Sequence, residues 1–117
     1  MVEKITTSGL GRVAQLIAAD FTKMTFGTGT TPATKDDTEL ETPVYIMECD
    51  SITVSGKEIT YTASILPGTL NNIGVTEIGI VNANGVLLRR DYIPEPILCS
   101  ATRGAVFSIP IDLGGDF

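Results

Sequence analysis

The chain has no histidine and no tryptophan, and only two cysteines among 117 residues. Without histidine it lacks the commonest general base and the commonest imidazole metal ligand. With aromatics at 6 % and no tryptophan, stacking platforms for sugars are scarce. Tyr45, Tyr61 and Tyr92 read as half-buried strand residues. Cys49 and Cys99 have no near partner in sequence, so no CxxC metal or redox motif exists. Two distant strands could join them in a disulfide. The alternative, two small buried hydrophobic side chains, suits a chain that folds in a reducing cytoplasm, as expected here. No apolar stretch approaches the ~18 residues of a spanning helix. The early apolar run is broken by Thr6, Thr7, Ser8 and Arg12, so no secretory signal is read and no membrane partner is expected. Basic residues are also few: 8 Lys and Arg against 14 Asp and Glu give a net charge of −6. Such a chain repels phosphate backbones, and Arg89, Arg90 and Arg103 are too few to reverse that, so nucleic acid is not an expected partner.

What is present suits a globular chain. Hydrophobic residues make up 43 %, and 117 residues suffice for one domain that buries its own core. Leu10, Val13, Leu16 and Ile17 recur at helical spacing, and Thr7 or Ser8 can cap the segment, which predicts a helix over residues 8–20. That stripe can pack on a sheet or dock on a neighbouring subunit; both demand the same residues.

The remainder alternates with period two. A strand is expected from Phe21 to Phe26, followed by a turn at Gly27-Thr28-Gly29-Thr30-Thr31-Pro32. A phosphate loop needs a following helix N-terminus and a lysine, and neither is there, so Gly27 and Gly29 read as turn residues free to take φ > 0. Lys35 to Glu41 is acidic but lacks calcium-loop spacing, and Leu40 is expected to anchor this loop by inserting into the core. Val44 to Leu66 reads as one long hairpin turning at Ser55-Gly56, with Val54 opposite Lys57 and Ile52 opposite Ile59. That register puts Glu48 and Asp50 on the apolar face unless a bulge intervenes.

A second hairpin turns at Asn82-Ala83-Asn84-Gly85, with Gly85 left-handed after a type I turn. Val81 then faces Leu87, and Glu77 faces Asp91, with Arg89 or Arg90 near enough to neutralise the two carboxylates. As a catalytic pair Glu77 and Asp91 stand alone, since no other polar chemistry converges on them. Pro94 to Gly104 reads as a loop, and Ala105 to Leu113 as a last strand confined to an edge by Pro110. The sum is a mainly β chain, an antiparallel β-sandwich or small barrel with one N-terminal helix. Catalytic, metal-binding and cofactor-binding residues are not assigned.

Three phrases carry a resemblance: TTSGLGRVAQLIAAD (Thr6 to Asp20), TKMTFGTGTTPATKDDTELETP (Thr22 to Pro43) and VTEIGIVNANGVLLRR (Val75 to Arg90). In this order and spacing the chain resembles the N-terminal domain of bacteriophage tail-fibre and baseplate-type proteins. The resemblance implies a non-enzymatic virion part, assembled in the host cytoplasm with other virion proteins, and a homo-oligomer with trimers favoured. Longer relatives continue into a shaft and a receptor-binding tip; this chain stops at Phe117, which implies an attachment module. The expected interface is the helix stripe Leu10, Val13, Leu16 and Ile17 with Phe107 and Ile109 of the last strand. Gly27, Gly29, Gly56 and Gly85 are the expected turn determinants. Composition fits equally a capsid decoration protein bridging coat subunits; the motif order favours the tail.

Overall fold

The computed structural model describes residues 4–116. Helix α1 (Thr7–Asp20) is followed by β1 (Lys23–Gly27), β2 (Pro43–Glu48), β3 (Ser51–Ser55), β4 (Glu58–Ile65), β5 (Ile73–Val81), β6 (Leu87–Cys99), β7 (Ala105–Asp112) and a helical turn α2 (Leu113–Asp116). The strands form two antiparallel sheets, β2-β1-β5-β6 and β3-β4-β7. The architecture is mainly β, two sheets and one N-terminal helix, compatible with a sandwich.

Alternation explains the smaller sheet. Along β4, Ile59, Tyr61, Ala63 and Ile65 are buried while Thr60, Thr62 and Ser64 are half-exposed, as a strand with one face on the core requires. Phe107 and Ile111 of β7 share that inner face, since they pair with Ala63 and Ile59. In the larger sheet Met24, Phe26, Ile78 and Ile80 face inward, and the rings of Phe26 and Phe107 meet between the sheets at 4.9 Å. Strand β5 is different: every residue from Val75 to Val81 is buried, so something must cover its outer face as well.

The long hairpin expected from Val44 to Leu66 is divided between the two sheets. Strand β2 belongs to the larger sheet, β3 and β4 to the smaller, and the chain crosses at Cys49-Asp50, where Cys49 N–H donates to Thr22 O and Asp50 N–H to Thr62 O. The crossing releases Glu48 from the apolar face; it pairs with Lys23 at 3.9 Å. Within β3–β4 the register is Ser55 with Glu58 and Ile52 with Tyr61. That is two residues from the expected pairing, a shift that leaves each side chain on its face.

The second hairpin closes as expected at Val81–Leu87, but a bulge follows, and Glu77 lies opposite Tyr92 rather than Asp91. The segment expected as a loop from Pro94 is strand as far as Cys99. Strand β6 is an edge, where prolines need not donate to a neighbour. Conversely the first strand, β1, is central, with β2 on one side and β5 on the other, while β7 is an edge as Pro110 led one to expect.

Helix α1 is capped by Thr6 rather than Thr7 or Ser8: Gly9 N–H donates to Thr6 Oγ1 at 3.0 Å. Its core face is Leu10, Ala14, Ile17 and Ala18. The four-residue stripe expected from spacing spans about 120° at ~100° per residue, and the face that meets the core is turned from it toward Ala14 and Ala18. Small residues let the helix lie close, so Leu10 and Ile17 pack inward while Val13 and Leu16 remain 36 % and 54 % exposed.

Candidate functional site

The cover over β5 is the segment between β1 and β2, residues 28–42, laid as a strap across the outer face of the larger sheet. Leu40 anchors it: the side chain is 3 % exposed and lies over Gly79, where any Cβ would press on Leu40, Thr25 and Leu87. Burying one such leucine contributes about 1.5–3 kcal/mol.

The rest of the attachment centres on one carboxylate. Glu77 has no exposed surface. One oxygen, Oε2, accepts from Gly29 N–H (2.7 Å) and Thr42 N–H (2.8 Å); the other, Oε1, accepts from Glu41 N–H (2.8 Å) and Arg90 Nε (2.9 Å). Both ends of the strap are thus tied to the same side chain. Thr28 N–H donates to Thr42 O and Thr76 Oγ1 to Gly29 O, closing the base. Arg90, itself buried, reaches the middle: Nη2 donates to Thr31 O (2.8 Å) and Nη1 to Asp37 Oδ2 (3.2 Å). Asp37 is set by Thr34, whose N–H donates to it at 2.8 Å, and Glu41 accepts from Thr30 N–H and Thr31 Oγ1.

Burial alone would push the Glu77 carboxyl up, but the N–H groups of Thr42 and Glu41, the Arg90 guanidinium and Gly29 N–H outweigh it and hold it below the ordinary value. Burial likewise would lower Arg90, yet Glu77 and Asp37 raise it. The Thr34 N–H is the first cause holding Asp37 below its usual value. A carboxylate with four donors and no exposed surface is a fastener, with no lone pair free to take a proton from a substrate.

This geometry changes the reason for two glycines. Gly27 and Gly29 do not take positive φ; a Cβ at either would collide with the Glu77 carboxylate. Gly56 and Gly85 do take it, at φ +58° and +81°, with open space around both. At the second turn Gly85 N–H donates to Asn82 O, and Asn82 Oδ1 accepts from Asn84 and Val86 N–H.

The remaining candidates are dispersed. Phe107 is 4 % exposed and Ile109 half-buried, both packed in the core, so the part of the expected interface drawn from β7 faces the wrong way for docking. Val106, between Phe107 and Ala105, is the outward residue there. Cys49 and Cys99 are both free thiols. Burial, with Glu48 and Asp50 nearby, pushes Cys49 up to about 11; burial and Cys49 push Tyr61 up to about 12. The Tyr61 hydroxyl is buried with no hydrogen-bond partner among the described residues. Among the described residues no group of three or more Cys, Asp or Glu side chains is placed to hold a metal ion. No described helix is long and apolar enough to cross a membrane.

Sequence reasoning singled out both phrases that build the strap site but not their connection. The available signal was a lone glutamate inside the apolar run Val75 to Val81, since a charge in such a run must be paired. No protein-family model matches the chain, and no curated protein matches it.

Proposed function

We propose that the chain is a non-enzymatic structural protein of a bacteriophage virion, a tail or baseplate adaptor or short fibre base that works by docking to other virion proteins and to copies of itself, with trimers favoured. The observation that carries the reading is that the phrases resembling the tail-fibre family, Thr22 to Pro43 and Val75 to Arg90, meet in space as one locked unit around Glu77. Their order in the sequence therefore has a physical cause, since each supplies half of one fastener. A rigid strap suits a part that presents a fixed surface. The net charge of −6 argues against nucleic acid as the partner.

Quantitative mass spectrometry of intact particles tests this. A tail or baseplate part is expected at a handful to a few dozen copies per particle. Hundreds of copies would place it on the head as a decoration protein, and absence from purified particles would overturn the virion reading altogether.

A further inference from the structure

The asparagines of the chain, Asn71, Asn72, Asn82 and Asn84, all lie between the end of β4 and the start of β6. Asparagine is chemically labile: the backbone nitrogen of the next residue can attack its side-chain Cγ and expel the amide as ammonia. Attack requires a free side chain, a free nitrogen and little crowding from the residue that follows. The structure separates the four positions on these counts.

Asn82 is held. It is 8 % exposed, its Oδ1 accepts from Asn84 N–H at 3.0 Å and Val86 N–H at 2.9 Å, and its Nδ2 donates to Asp20 Oδ2 at 3.1 Å. Asn71 and Asn72 are exposed, but Asn72 precedes Ile73, whose branched Cβ crowds the attacking nitrogen. Asn71 precedes Asn72, a bulkier residue than glycine that the backbone fixes at φ +55°. Asn84 is exposed, and among the described residues nothing hydrogen-bonds its side chain. The next residue is Gly85, which has no Cβ and stands in open space: nothing lies within 4 Å of where one would be. One restraint acts on the nucleophile, since Gly85 N–H donates to Asn82 O at 3.1 Å.

We propose that Asn84 is a site of spontaneous deamidation in the folded protein. The Gly85 nitrogen forms a bond to Asn84 Cγ, the Cγ–Nδ2 bond breaks, and the Gly85 amide proton leaves with that nitrogen as ammonia. A five-membered succinimide remains. One water then opens it, at Cγ to give aspartate or at the main-chain carbonyl to give isoaspartate. No electrons are exchanged, and the sum is one water consumed and one ammonia released. The bond from Gly85 N–H to Asn82 O has to open first, and a net hydrogen bond of this kind slows attack by about tenfold at most. Either product adds one negative charge at the hairpin tip of a chain already at −6. Isoaspartate also routes the backbone through Cβ and Cγ, lengthening a turn that Asn82 N–H and Val86 O close at 3.1 Å. The reaction is independent of the docking role proposed above.

Ageing the full chain in warm, mildly alkaline buffer, where circular dichroism shows it folded, tests this beside the same chain unfolded in guanidinium chloride. Intact mass follows the reaction, and electron-transfer fragmentation of the peptides locates it and separates aspartate from isoaspartate. A gain of one dalton is expected at Asn84, with both products present. Folded Asn84 should convert within about tenfold of its unfolded rate, and folded Asn82 at least about tenfold more slowly than Asn84. Asn84→Ser, a change at an exposed side chain, should abolish the early mass gain. First conversion at Asn71, Asn72 or Asn82 in the folded chain would overturn the proposal. So would an Asn84 that converts in guanidinium chloride and stays intact in the folded protein.

Discussion

The two faces of β5 are covered in opposite ways. On the inner side, Ile78 and Ile80 meet side chains of the smaller sheet in an apolar core that includes Ile59 and Phe107. On the outer side, Glu77 and Arg90 bind a strap through named backbone groups, with Leu40 as its one deeply buried apolar anchor. Apolar packing depends on volume and tolerates substitutions that conserve it. A satisfied buried carboxylate depends on each donor, and removing one partner strands the others. The inner face should therefore respond to mutation gradually and locally. The outer face should respond as a unit.

The largest expected effect is at the fastener. Glu77→Ala leaves Arg90 buried without its main counter-charge and three strap amides without an acceptor; it should cost about 3–5 kcal/mol in chemical denaturation, as one-sided loss of a buried pair does. Ile59→Ala on the inner side should cost about 2–5 kcal/mol, and Ile59→Val only about 0.5–1.5. The comparison breaks if Glu77→Gln, nearly isosteric, is as mild as Ile59→Val. Gly85→Val tests neither cover: it forces a β-branched residue to φ +81° and should cost about 1–2 kcal/mol.

The faces also differ in pH response. Glu77 and Asp37 lie below their ordinary values of 4.5 and 3.8, so the stability they contribute is present above those values and lost as pH falls through the folded ones. Tyr61 is raised from 10.0 to about 12 and Cys49 from 9.0 to about 11, so their contribution is present below pH 9 and lost as pH rises through 9 to 12. Thermal melts across pH should show acid destabilisation that Glu77→Gln reduces and alkaline destabilisation that Tyr61→Phe reduces. A single profile unaffected by either variant would contradict the assignment.

The same contrast explains what the sequence made legible. The inner face is written in period two, and even a register two residues out, as at Ile52 and Ile59, keeps every side chain on its own face. The bulge beyond Val81 shifts the pairing by one and places Arg90 on the same face as Glu77; no local composition marks it. Pro94 and Pro96 read as chain breakers because edge placement of β6 depends on the order of strands, which local pattern does not specify. The strap is tied by contacts far apart in sequence, Gly29 to Glu77 and Thr31 to Arg90, so no spacing motif encodes it. Its glycines were visible but their reason was not. Gly27 and Gly29 are small because a carboxylate passes there, not because the backbone turns left-handed. Helix α1 was legible as a helix, while the choice of core face depended on Ala14 and Ala18, which carry little hydrophobic signal.

The central claim is that one carboxylate fastens both ends of the strap. Amide hydrogen exchange read by NMR on Gly29, Glu41 and Thr42, in the parent and in Glu77→Gln at neutral pH, tests it most directly. All three amides should be protected in the parent and lose protection together in the variant, while Ile78 and Ile80 in the same strand keep theirs. Unchanged protection at the three strap amides, or a loss spread equally over β5, would contradict the account.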